Sequence, residues 1–184
     1  MSPIIAIVAL AVAVGFVAGG SLRPFDRLRV HWWGLAPLGL ALQVAPVPKL
    51  ARIDPETLAA VMLLGSYGAL IAFATVNRRL PGVWLILAGL VLNLAVIAPN
   101  GGMPVDPGAL RLAGATSVSI AGDAKHHAMT DEDVLAFLGD TLPAPAPGGA
   151  VLSVGDLVLY SGIAWFVISL MLGRARENAR PPAR

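Results

Sequence analysis

Asn93-Leu94-Ala95-Val96-Ile97-Ala98-Pro99-Asn100-Gly101-Gly102-Met103-Pro104-Val105 starts inside an apolar run and ends in a string of glycine and proline. Traced back, the run begins at Leu80, and no ionisable side chain interrupts it before Ala98. A bilayer crossing needs about 20 mostly apolar residues, with about 17–25 tolerated. In hydrocarbon each backbone N–H must be bonded within its own segment, so the run is read as a helix. No comparable run follows until Val151. The quoted string is therefore the border between a helical bundle and a long polar excursion over residues 99–150.

Working outward, four more runs are long enough to span, at about 3–20, 32–48, 58–76 and 151–172. Composition agrees: the chain is 57% hydrophobic and 13% charged, whereas soluble domains are about 45–50% apolar and about 25% charged. The second run is short and holds Pro37, Pro46 and Pro48, which predicts a kinked or re-entrant helix. The first has no Lys or Arg ahead of it, and Arg23, Arg27 and Arg29 behind it. That charge order predicts a retained anchor with its N-terminus outside, not a cleaved signal.

The expected fold is an all-α membrane protein: one bundle of five transmembrane helices over residues 1–173 and a cytoplasmic tail at 174–184. Five spans put Arg23, Arg27, Arg29, Arg78, Arg79, Arg174, Arg176, Arg180 and Arg184 on one side, and nine of the eleven acids on the other. Arginine marks the cytoplasmic side, so the N-terminus lies out, the C-terminus in, and 99–150 forms a long ordered outer loop. The basic residues sit in short connectors, a topology signal that argues against nucleic acid as a partner. Without cysteine there is no disulfide framework and no thiolate nucleophile. Gly15 with Gly19, Gly65 with Gly68, and Gly89 would let helices approach closely. No Asp, Glu, Lys or Arg lies deep in the first four spans, which disfavours an ion pump; Gln43 and Asn93 are the polar exceptions.

The outer loop holds the candidate chemistry. Thr130 followed by Asp131, Glu132 and Asp133 predicts a helix start, with Val134, Leu135, Phe137 and Leu138 as its apolar face and Gly139 as its stop. Residues 142–150, with Pro143, Pro145, Pro147, Gly148 and Gly149, read as a flexible tether. Ser153 and Asp156 have the spacing of a capping box. Asp140 and Asp156 each follow a glycine, and two carboxylates sharing a proton supply an acid and a base together. The bland alternative leaves Asp156 as a cap and Asp140 in a turn. Lys125-His126-His127 reads as an exposed turn facing headgroups, with Asp123 and Asp131 nearby. Adjacent histidines on an extended segment point opposite ways, so no metal site is assigned, and no cofactor is expected. Asn100, Gly101 and Gly102 form a tight turn off the fourth helix or a substrate contact, while Asn93 bonds across helices.

Asn100-Gly101-Gly102-Met103-Pro104-Val105, Lys125-His126, Phe137-Leu138-Gly139-Asp140 and Ser153-Val154-Gly155-Asp156, in this order, resemble the motifs of a family of small bacterial multi-pass membrane proteins of unknown function. The resemblance implies a bacterial cell membrane and no assigned activity. Asn100-Gly101-Gly102 and Val154-Gly155-Asp156 are also similar, more loosely, to strings of lipoprotein signal peptidase, a membrane aspartic peptidase. That family has four spans, and its Gly-Asn-x-x-Asp-Arg motif is missing here.

Two functions follow. In the first, the outer loop covers the bundle and binds a lipid, a peptide, a protein partner or a second copy of the chain, using Asn93, Asn100, Gly101, Gly102, Lys125 and His126. In the second, Asp140 and Asp156 serve a membrane-embedded aspartic hydrolase.

Overall fold

The computed structural model describes residues 3–47, 54–114, 125–144 and 149–173. Its centre is the contact between α4 (Val83–Asn100) and α6 (Val154–Met171), which run antiparallel. Gly82 and Gly89 on one side meet Gly155 and Gly162 on the other; a methyl group on Gly89 would lie 2.5 Å from the Gly155 carbonyl oxygen. Four missing side chains let the two backbones touch, the close packing that helices use where lipid supplies no hydrophobic drive. α3 (Pro55–Val76) packs on α4, α2 (Leu35–Val44) on α3, and α1 (Pro3–Val17) on α6. Leu63, Tyr67, Leu90, Val96 and Ile97 fill the middle. Leu10, Phe16, Val61, Leu64, Val91 and Trp165 face outward, so the helices are apolar all round.

Among the described residues, only α3, α4 and α6 are long and apolar enough to cross a membrane; α1 and α2 are shorter apolar helices. α1 stops at Val17 in a Schellman turn, with Gly20 N–H donating to the Gly15 carbonyl at 2.8 Å and Gly19 to Phe16 at 2.9 Å. Gly19 has φ +80°, so it ends the helix and does not pair with Gly15 in packing. Gly68 faces open space, another departure from the expected close contacts. α2 has no proline kink. Pro37 lies in its first turn, where the missing N–H has no helical partner to lose, and Pro46 lies past the end.

The excursion after α4 is not purely helical or loose. β1 (Met103–Val105) pairs in parallel with β2 (His126–Ala128) and bridges Asp140 on its other side. β3 (Leu142–Ala144) and β4 (Ala150–Leu152) form an antiparallel hairpin, so the expected tether is anchored at both ends; residues 145–148 lie outside the described residues. Between β1 and β2, α5 (Pro107–Leu112) is capped by Asp106, which accepts from Gly108 N–H at 2.7 Å. The chain is therefore mostly helical, with short strands bonding backbone groups that no helix could satisfy.

The helix expected after Thr130 does not form. Asp133 turns back to accept from Thr130 N–H at 2.7 Å and pairs with His127 at 2.8 Å, and Leu135 takes φ +56°. A single 3-10 turn, Ala136–Leu138, remains. Burial works against the Asp133 charge, but bonds from the Thr130 backbone and from His127 hold its carboxyl below the ordinary value.

Candidate functional site

Ser153 begins α6 with a complete capping box: its hydroxyl accepts from Asp156 N–H at 2.9 Å, and its own N–H donates to Asp156 Oδ2 at 3.1 Å. The cap is only half of what these groups do. Asn93, 2% exposed, donates from Nδ2 to Asp156 Oδ1 at 2.8 Å and accepts from the Ser153 hydroxyl at 2.9 Å. Asn93 thus links α4 to the start of α6, as its position in an apolar run suggested, and Gly155 leaves the space it occupies. Tyr67 on α3 lines the same cavity as Asn93.

Asp140 arrives from the other direction. Its N–H donates to the Pro104 carbonyl and its carbonyl accepts from Asp106 N–H, both at 2.9 Å, which fastens it beside β1. Two residues later the hairpin pairs Leu142 with Leu152, immediately ahead of Ser153. That pairing brings the two Gly-Asp strings to one place. Asp140 and Asp156 line the same cavity of about 280 Å³, with Tyr67, Asn93, Lys125 and His126. Asp140 is 8% exposed. Burial, and then the neighbouring Asp156 charge, push its carboxyl up to about 7.

Lys125 is buried, not turned toward headgroups. Its ammonium donates to the carbonyls of Leu42, at 3.0 Å, Gln43 and Ala45. A cation at a helix C-terminus complements both the orphan carbonyls and the macrodipole. His126 and His127 do point apart, as an extended strand requires: His126 lines the cavity, and His127 pairs with Asp133. Asp131 is not the partner, and Asp123 lies outside the described residues.

The turn after α4 is a scaffold. Asn100 Nδ2 donates to the Val134 carbonyl and Asn100 Oδ1 accepts from Val134 N–H, both at 2.9 Å, clipping the loop to the helix. Gly101 has φ +69° and ends α4. A side chain on Gly102 would approach the Lys125 carbonyl to 3.0 Å, so glycine lets β1 and β2 close. Asn100 and both glycines position the cavity without lining it. Asn100→Ala is expected to cost about 1–3 kcal/mol through the lost clip, and to raise amide exchange selectively at residues 130–140. Unchanged exchange there would refute the clip.

Sequence reasoning missed Tyr67 and, of the glycine seam, found Gly89 but not its partners Gly82, Gly155 and Gly162. A tyrosine amid the apolar run 58–76, and glycine pairs at 82/89 and 155/162, were the available signals.

Three apolar helices of spanning length under a folded polar excursion define a membrane protein. Residues 27–168 match the family of unknown function DUF5317, and the chain belongs to that family. An uncharacterized protein of Thermotoga maritima is 35% identical over 106 residues, which cover 56% of this chain and 60% of that protein's length. No solved structure matches.

Proposed function

We propose that this is a binding protein of a bacterial cell membrane, whose segment 99–150 covers the outer end of a five-pass bundle and receives an amine-bearing group of a lipid or peptide. Five passes are supported by the direction of the chain. Ser21 N–H meets the Met171 carbonyl at one end, and Lys125 caps α2 at the other. The arginine distribution supports N-terminus out and C-terminus in.

The observation that carries the ligand class is that Asp140 and Asp156 line one cavity while the Lys125 ammonium donates to the carbonyls of Leu42, Gln43 and Ala45. A cavity of about 280 Å³ is at the small end of ligand sites. It suits a headgroup or a chain terminus, not a whole partner. An ammonium would take the Asp156 carboxylate, with the Asp140 proton released or shared on binding.

The test uses the full chain in detergent, titrated with a short apolar peptide bearing either a free or an acetylated N-terminus, and with phosphatidylethanolamine against phosphatidylcholine. A free primary amine should raise the melting temperature, and Asp156→Asn should weaken that response at least tenfold. Equal responses to free and blocked amines would sink the proposal.

The hydrolase reading retains one supporting observation: Asp140 and Asp156 line one cavity, where burial favours the proton on Asp140, the acid and base division of an aspartic dyad. It requires peptide-bond cleavage by the wild type that both Asp140→Asn and Asp156→Asn abolish.

A further inference from the structure

A second cavity, of about 620 Å³, lies at the opposite end of the bundle, between the connector after α1 and the connector after α3. Arg29 and His31 from the first, and Arg78 and Arg79 from the second, line it, with Thr75 and Asn77. Among the described residues, no carboxylate lines it.

The two connectors are fixed to each other by Asn77, which is 3% exposed. Asn77 Oδ1 accepts from His31 N–H at 2.9 Å, and Nδ2 donates to the carbonyls of His31 and Phe73, each at 2.9 Å. Both donors of that amide and its oxygen are engaged, so Asn77 builds the cavity and is not available to a ligand. Residues 46 apart in sequence are thereby held on one wall. We infer that this cavity binds a phosphate mono- or diester anion, presented by an anionic lipid headgroup or by a soluble phosphate.

Charge magnitudes favour an anion even though α3 ends here. A helix C-terminus carries roughly half a negative charge, and the Phe73 and Thr75 carbonyls already accept hydrogen bonds from Asn77 and Arg78. Three guanidiniums outweigh that remainder. Guanidinium also presents paired donors that match phosphate oxygens.

Depth is indicated independently by Trp32, Trp33, Trp84 and Trp165. All four are exposed, at 63%, 72%, 62% and 59%. Trp32 and Trp33 precede α2, Trp84 opens α4, and Trp165 neighbours Phe166, whose backbone N faces Gly82. They gather toward the arginine end. Indole rings collect at the headgroup level, and basic pockets there take phosphate headgroups.

The experiment compares the full chain with Arg29→Gln/Arg78→Gln and with Arg23→Gln, which alters the same connector outside the cavity. Melting temperature is read in detergent micelles doped with phosphatidylglycerol or phosphatidylcholine, and separately with inorganic phosphate. Lipid phosphorus retained through purification is the second readout. Phosphatidylglycerol should raise the melting temperature at concentrations where phosphatidylcholine does not. The double variant should need at least tenfold more lipid, while Arg23→Gln behaves as wild type. A response to inorganic phosphate alone, with the same Arg29 and Arg78 dependence, assigns the soluble source. Should the double variant fold poorly, Arg78→Lys, which keeps the charge but loses the paired donors, should weaken the response several-fold. No wild-type response to either phosphate, or equal loss in Arg23→Gln, overturns the site.

Discussion

Gly155→Ala is expected to lower stability by roughly 3–5 kcal/mol, combining overpacking with the loss of the two hydrogen bonds of the buried Asn93 side chain. The added methyl would overlap Asn93 Oδ1 and lie 2.9 Å from the Gly89 carbonyl oxygen. Neither neighbour can give way cheaply: one belongs to the backbone of α4, and the other accepts from Ser153 while its amide holds Asp156. Displacing Asn93 would leave a buried hydroxyl without its acceptor and a carboxylate without one of its donors. Gly68→Ala is the matched control, since nothing lies near that position. It should be neutral or gain about 0.5–1 kcal/mol, the usual preference for alanine inside a helix. Melting temperatures in one detergent decide the matter, and equal values for the two variants would remove the α4–α6 seam as the organising contact.

Asp140 should make the wild type lose stability as pH rises from about 4 to 7 and level off above that. Its folded value of about 7 lies above the ordinary 3.8, so the folded state holds the proton more tightly than the unfolded chain does. The stabilisation is complete below about pH 4, falls as pH climbs through 7, and is gone above it. Each tenfold gain in proton affinity is worth about 1.4 kcal/mol, so the full excursion is roughly 4 kcal/mol. Asp156 and Tyr160 on α6, Tyr67 on α3, and Lys125 and His126 beside β2 are the charged or titratable groups near it. Asp140→Asn should flatten the profile and melt higher than wild type at pH 8–9, whereas His126→Gln should keep the slope. A wild-type profile without slope between pH 5 and 7 would contradict the buried carboxyl and its raised proton affinity.

The candidate site was half visible beforehand. Ser153 and Asp156 are three apart ahead of an apolar run, so their cap is a local matter of helix ends and could be read directly. Lys125 could not. It donates to carbonyls 80 or more residues earlier, and nothing in Lys125-His126-His127 distinguishes a buried helix cap from an exposed turn. The segment after Thr130 misled for a related reason. Three acids after a threonine favour a helix start, but His127 and the Thr130 N–H bind the Asp133 carboxylate outside any helix, Asn100 takes the Val134 N–H, and these contacts override a weak local propensity.

What the chain determined alone was its solvent: long apolar runs with arginine between them force helices in lipid, because unsatisfied backbone cannot stay there. What needed the folded molecule was where the polar side chains meet. Asp140 and Asp156 come together because Leu142 pairs with Leu152 and because Gly155 leaves room for Asn93. Strand pairing and close helix approach depend on which distant segments face each other, and sequence spacing does not encode that.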